Sequence, residues 1–532
     1  MEMERRKFIE FLGKGVVTTS LLPPFISSCN RIGSERIFKI NSMTKGISPT
    51  NADDLVLAEG LTYEVLLTFG QKISDKDTFG SDNDYIAFVP GDNENEGTLW
   101  VNHESVTSIF VSRFTGGEKT KEQVDTEMYN MGGSIVKIKK ENGSWNIDYN
   151  NPVNRRLNAF TEIPFNWDSQ IKGTTKAIGT LENCAGGITP WGTILTCEEN
   201  YHNCFGERNF ETGEIKYSSW SKQWHKHYDR PPEHYGWVVE VDPATGKAEK
   251  HIALGRCAHE CATVVELEDK RIVVYTGDDK VDQCIYKFIS DEPGSMKSGT
   301  LYVANTDEGK WISLNIDEQP ILKEKFKDQT EVLIRLREAA ALVGGTPQAR
   351  PEDIEIDPVT GNVLVALTNN KPKNDYFGEI LKIEEKDGKY DSLEFTASTF
   401  LTGGEEMGFA CPDNLAFDKA GNLYFTCDIS SSSMNKPPYE SFKNNGFFVV
   451  PRTGPQEGQV IQIASGPVDS ELTGPFFTPD GKTLFLSVQH PGDRTKSYDA
   501  MTSHWPDGGN AEPRPSVVAI SGPLLDQLQG LS

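Results

Sequence analysis

Arg350-Pro-Glu-Asp-Ile-Glu-Ile-Asp-Pro-Val-Thr-Gly-Asn-Val-Leu-Val-Ala-Leu-Thr-Asn-Asn370 carries the pattern from which the rest of the chain is read. Two apolar runs flank Asp357-Pro-Val-Thr-Gly361, where glycine supplies the positive φ that a tight hairpin turn needs. A carboxylate pair, Glu352 and Asp353, enters just ahead of the first run. The same kind of turn recurs at Asp242-Pro-Ala-Thr-Gly246, Asp418-Lys-Ala-Gly421 and Pro479-Asp-Gly481, each between apolar runs. Short β-branched and aromatic stretches such as Thr98-Leu-Trp-Val101, Gly236-Trp-Val-Val-Glu-Val241, Arg271-Ile-Val-Val-Tyr275 and Asn422-Leu-Tyr-Phe-Thr426 read as strands. Only Thr330 to Leu342 has apolar residues at helical spacing. The expectation is an all-β repeat protein, with the turns joining outer or middle strands away from its axis.

An acidic residue follows or abuts a strand six times: Asn102-His-Glu104, Thr196-Cys-Glu-Glu199, Ala258-His-Glu260, Arg350-Pro-Glu-Asp353, Cys411-Pro-Asp-Asn414 and Glu471-Leu-Thr-Gly474. Six motifs at blade-like intervals predict a six-bladed β-propeller with loop insertions and one or more short helices. If each motif starts or lies on an innermost strand, its side chains meet at the central channel. Carboxylates gathered there raise one another's pKa unless cations neutralise them. Calcium, a taker of six to eight oxygens, suits such acids together with Asn102, Asn200 and Asn414. Cys197 adds a thiolate, and among oxygen donors that points to iron more than zinc; a plain buried strand cysteine is the alternative. His259 reads as a group that orients a ligand, because alternation places it opposite Glu260. Arg350, with a guanidinium matched to phosphate oxygens, is the first candidate for anion recognition and Arg256 the second.

Charge sharpens the class. A formal net charge of −25 excludes a binder of nucleic-acid backbones, which needs Lys and Arg to displace counterions, and suits a holder of cations. Residues 1–29 read as a twin-arginine export signal: Arg5-Arg6-Lys7-Phe8-Ile9, an apolar run from Gly15 to Leu22, then Ile26-Ser-Ser-Cys29. The small residues before Cys29 resemble a lipobox, so a lipid anchor at Cys29 is expected as an alternative to plain soluble export. Residues 30–50 read as a linker and 51–532 as a single propeller domain. The other eight cysteines are irregularly spaced and read as buried free thiols. Phe110 to Glu127 and Tyr217 to Tyr235 look like excursions from the blades, of the kind that caps a site.

These residues resemble the bacterial PhoX alkaline phosphatases. The resemblance runs through Asn83-Asp-Tyr-Ile-Ala-Phe88, Trp100-Val-Asn-His-Glu104, Gly187-Ile-Thr-Pro-Trp-Gly-Thr193 with Thr196-Cys-Glu-Glu199, Tyr235-Gly-Trp-Val-Val-Glu240, Gly255-Arg256 with His259-Glu260, Arg350-Pro-Glu352, Leu367-Thr-Asn-Asn370 and Gln489-His-Pro-Gly492. It implies a twin-arginine-exported, six-bladed propeller whose cofactor holds two ferric ions (Fe3+) and three calcium ions (Ca2+) and which hydrolyses phosphate monoesters. It further implies Cys197 as the thiolate ligand of iron, Glu104, Glu199, Glu260, Glu352 and Glu471 as metal ligands, and Arg350 as the phosphate-binding arginine. Glu198 stands beside Glu199 as an open alternative, and Asp413 completes the metal set; Arg350, Glu352 and Glu260 are the catalytic candidates. The chain departs from the family pattern at Asp353 and at Ser470-Glu471, where a cysteine is expected before the glutamate. Expected partners are a small phosphate ester and the export machinery, with no nucleic acid, for a monomer in the periplasm or cell envelope. A calcium-dependent propeller lactonase and a non-catalytic binding propeller are the competing readings.

Overall fold

The residues of Val363-Leu-Val-Ala-Leu367 face two ways: Val363, Val365 and Leu367 pack with Tyr275, Val273 and Ile354, while Leu364 and Ala366 pack with Leu415, Phe425 and Phe448. A strand covered on both faces is apolar without alternation, which explains these runs. The computed structural model describes residues 43–530. Its strands form six antiparallel sheets of four or five strands each, the blades of a six-bladed β-propeller.

The innermost strands, in order, are Asn83–Pro90, Asn183–Ile188, Thr263–Glu266, Pro351–Ile356, Pro412–Phe417 and Glu471–Phe477. The second strands are Glu96–His103, Ile194–Glu198, Ile272–Gly277, Val363–Leu367, Leu423–Cys427 and Leu484–Gln489. Apolar clusters fill the gap between each blade and the next, and one containing Leu67, Phe88, Val101, Phe485 and Val517 joins the sixth blade to the first. The ring is closed by an early strand, Thr62–Thr68, which pairs with Ser516–Ser521 as the outer strand of the sixth blade. At the same seam Gly474 has φ +56°, and a Cβ there would stand 2.7 Å from the Asp84 carbonyl, so only glycine lets these two inner strands approach.

Three of the four hairpin turns, at Asp357, Asp418 and Pro479, join the innermost strand to the second; only the Asp242 turn joins outer strands. They are architectural, but because the inner hairpins share this turn they mark the rim away from the strand starts. The expected helix Thr330 to Leu342 is two helices, Gln329–Ile334 and Leu336–Val343, broken at Arg335, with Pro320–Lys325 ahead of them. Within Phe110 to Glu127 lies most of a helix, Lys121–Asn130, whose N-terminus is closed by a capping box between Thr120 and Gln123. Its Val124 and Met128 share an apolar cluster with Trp224 and Tyr235 of the second excursion and with Tyr201 and Phe205 ahead of it. Part of the expected linker, Thr44 to Ile47, bonds to Gln456 and Gln462 of the fifth blade. Among the described residues no helix is long and apolar enough to cross a membrane. The export signal and Cys29 lie outside the described residues.

Candidate metal centre

In each blade the innermost strand starts, and the second strand ends, on the same rim; Asn83 pairs with His103, Asn183 with Glu198, Pro351 with Leu367, Pro412 with Cys427 and Glu471 with Gln489. That rim carries two sets of side chains. Asp84, Cys184, Glu260, Glu352, Asp413 and Glu471 stand at or just before the inner strands, while Glu104, Glu199, Asp279, Asp428 and His490 follow the second strands. The expectation that every motif lies on an innermost strand is therefore corrected: Glu104 and Cys197-Glu198-Glu199 belong to second strands.

The thiol of Cys184 lies 3.3 Å from Asp84 Oδ2 and 3.2 Å from Glu260 Oε1. Donor atoms of Asp84, Glu104 and Cys184, of Cys184, Glu199 and Glu260, and of Glu260, Asp279 and Glu352 each fall within 4.8 Å of one another. Gln489 donates to both Asp84 Oδ2 (3.0 Å) and Glu104 Oε2 (2.8 Å), and Thr368 donates to Glu352 (2.7 Å). Arg350 spans Asp279 (2.8 Å), Glu352 (2.8 Å) and Asp428 (3.2 Å), with its side chain 22 % exposed. His490 lies 3.4 Å from Glu471.

So many buried carboxylates cannot all be ionised unaided. Burial, and then neighbouring carboxylates, raise the pKa values of Asp84, Glu199, Glu260 and Asp413; burial raises that of Glu352 against the pull of Arg350. Glu471 is pushed up to about 7 by burial and then by Asp428. Burial and the same acids raise the Cys184 thiol. Asp84 Oδ1, Glu260 Oε2 and Asp279 Oδ1 are buried with no hydrogen-bond donor. Orphaned oxygens around one thiol fit a set of oxygen-loving cations with one thiophilic metal among them.

Backbone irregularity aims these groups. The pairing of innermost and second strands slips between Asn83 and Ile86, Asn183 and Gly186, Pro351 and Ile354, and Pro412 and Leu415. Asp84, Cys184, Glu352 and Asp413 all lie inside these slips, which act as bulges beside the site. In Asn183-Cys-Ala-Gly-Gly187 a Cβ on Gly187 would meet the Ala262 carbonyl at 2.0 Å, so the blade carrying Cys184 presses close to the one carrying Glu260.

Of the residues singled out from sequence, Glu104, Glu199, Glu260, Glu352, Asp413, Glu471 and Arg350 converge on this rim. Cys197 does not: it is fully buried in an apolar cluster with Leu195, Trp237, Val238 and Ile252. Glu198 also turns away, pairing with buried Lys250 at 2.6 Å and accepting from the amides of Leu181, Gly236 and Trp237. Arg256 is committed to Glu207, to the carbonyls of Tyr235 and Pro232, and to the Tyr201 ring, so it does not reach the acids. His259 bonds to Thr276 and to the Gly255 carbonyl, fixing the loop ahead of Glu260, and burial lowers its pKa to about 4. Asp353 braces the amide of Leu415 in the next blade. Of the three asparagines, Asn102 holds the carbonyl of Ala185 beside Cys184, Asn200 bonds to Glu199 and Asn414 to Asp413. Sequence reading missed Asp84, Cys184, Asp279 and Asp428. For two of them the signal is positional: Asn83-Asp84 and Asn183-Cys184 stand where Pro351-Glu352 and Pro412-Asp413 stand in other blades, while Asp279 and Asp428 follow second strands as Glu104 and Glu199 do.

Comparison with known proteins is consistent with this geometry. The family model described as alkaline phosphatase PhoX matches residues 43–492. The structure of Pseudomonas fluorescens PhoX in complex with vanadate, a transition state analogue, is similar over 92 % of this chain and 99 % of that one, at 28 % identity and a TM-score of 0.83. A gluconolactonase from Xanthomonas campestris, XC5397, is similar over 91 % of this chain and 99 % of its own, at 11 % identity and a TM-score of 0.36, too distant to support a reading. No curated protein matches significantly.

Proposed function

This chain belongs to the alkaline phosphatase PhoX family and is a metal-dependent phosphatase, and we propose that it hydrolyses phosphate monoesters at a mixed Fe3+ and Ca2+ cluster held on the acidic rim. The observation that carries the composition is Cys184 set among buried carboxylates with orphaned oxygens. In this reading Asp84, Glu104, Cys184, Glu199, Glu260, Asp279, Glu352, Asp413 and Glu471 hold the cations. When bound, these cations neutralise phosphate oxygens and activate the attacking nucleophile, so no serine nucleophile is needed. Arg350 is the group that receives the phosphate: Asp279, Glu352 and Asp428 fix its guanidinium at the edge of the acids, and its donors are planar and matched to phosphate oxygens. Gln489 holds Asp84 and Glu104 in register across the seam between the first and sixth blades. The two excursions that follow Glu104 and Glu199 pack on each other and limit water at that side of the rim.

The proposal includes twin-arginine export to the periplasm or cell envelope, with Cys29 lipidated; its support is Arg5-Arg6, the apolar run and Ser27-Ser28-Cys29. Metal analysis of the purified protein, with p-nitrophenyl phosphate turnover before and after chelation, tests the site. Iron and calcium should copurify, and chelation should abolish turnover. A calcium-loaded, iron-free protein with full activity would refute the mixed cluster.

A further inference from the structure

The acids of the rim are flanked by a second cation that no blade supplies. Lys222 lies in the excursion between the second and third strands of the second blade, and its side chain is 12 % exposed. Its ammonium donates to Ser105 Oγ at 2.8 Å, next to Glu104, and stands 3.4 Å from Glu182 Oε1. Arg350 is anchored in the third, fourth and fifth blades, through Asp279, Glu352 and Asp428, whereas Lys222 reaches the first and second. In a ring of six the first and fourth blades face each other, so the two cations bracket the acids.

We propose that Lys222 is a second phosphate-contacting residue of this site, paired with Arg350 to hold the phosphoryl group of the ester and the phosphate released from it. The inference rests on the phosphatase reading above and assigns to it a residue from outside the blades. Lys222 is placed with care by its neighbours: its amide bonds to the Asn203 carbonyl at 2.7 Å, Gln223 adopts a left-handed φ of 64°, and fully buried Trp224 donates to Glu127 at 3.0 Å. An ammonium has three donors, and here its closest partner is a neutral hydroxyl, while the carboxylate contact is the longer one. That leaves a donor for an anion. A phosphate group has acceptor oxygens enough to engage both cations while others remain for the cluster.

Titration of inorganic phosphate into the metal-loaded full chain, with KM and kcat for p-nitrophenyl phosphate, tests this in wild type, Lys222→Met, Lys222→Arg and the double variant Lys222→Met/Glu182→Gln. Lys222→Met should weaken phosphate binding and raise KM by about tenfold each, as expected for a lost charge-assisted contact. Lys222→Arg should recover most of both, and the double variant should stay weak. Phosphate affinity and KM within twofold of wild type in Lys222→Met would overturn the proposal. So would their recovery in the double variant, which would mean that Lys222 only neutralises Glu182. Failure of Lys222→Met to load metals, or of the wild type to bind phosphate, also counts against it. A wild type that binds phosphate through Lys222 yet hydrolyses no ester would instead sink the phosphatase reading and leave this one standing.

Discussion

Cys184 touches carboxylate oxygens on two sides, whereas Cys197, on the neighbouring strand, is buried in an apolar cluster with Leu195, Trp237 and Val238. Their alanine variants should therefore part. Cys184→Ala is expected to lose iron and more than about tenfold in turnover, a first ligand mattering at least as much as the outer groups that orient one. Cys197→Ala is expected to keep wild-type metal content and lose about 1 kcal/mol of stability through a small cavity. Metal analysis and urea unfolding of the pair decide it; iron retained in Cys184→Ala would refute the assignment. At this scale six acids and Arg350 were legible because each abuts a run that reads plainly as a strand. Asp84 and Cys184 were not, because face assignment from sequence assumes strict alternation, and the pairing slips after Asn83 and Asn183 break it. Glu198 and Glu199 could not be separated either: which one turns inward depends on Lys250, distant in sequence, drawing Glu198 away.

Strands and helices carry their own lesson. The hairpin turns and apolar runs give the blades directly, since a strand buried on both faces needs no pattern beyond continuity. The helix Lys121–Asn130 in the first excursion went unread, since its apolar residues lack a clear helical stripe; in the structure a capping box between Thr120 and Gln123 starts it. The break at Arg335 was not readable, because it follows from tertiary partners: Arg337 reaches Asp278 at 2.6 Å, and the Leu333 carbonyl accepts from the amide of Arg256. The strand Thr62–Thr68 has the clearest mechanical role, since it completes the sixth blade from the opposite end of the chain. Leu67 is fully buried in the cluster that joins the last blade to the first. Leu67→Ala is expected to cost ~2–5 kcal/mol in urea unfolding. A loss under about 1 kcal/mol, set against that cavity scale, would show that the closing strand is not integral to the ring.

Taken whole, the molecule stores charge it cannot hold alone. At pH 6.5 an unfolded histidine still holds about half a proton that burial denies to His103 and His259 in the folded chain, so these groups gain the fold a little stability as pH rises to 8. The rim is different: Asp84, Glu199, Glu260, Glu352 and Asp413 sit well above their ordinary values, and Glu471 at about 7, so the metal-free folded chain keeps protons that the unfolded chain has released. A folded state that binds more protons loses stability as pH rises. Chelated protein should accordingly unfold at lower urea at pH 8 than at pH 6.5. Metal-loaded protein should resist that loss, because the cations bind the ionised ligands. Equal pH dependence with and without metals would show that the rim acids do not bind them. Ring closure also sets a timetable. Thr62 leaves the ribosome 459 residues ahead of Ser521, whose carbonyl it will meet, an interval of roughly 25 to 90 seconds at ordinary rates of synthesis. Until then Asp84 and Glu104 wait without Gln489 beside them, so a nascent chain can build blades one after another yet assembles its cation-binding pocket only once the sixth blade has emerged.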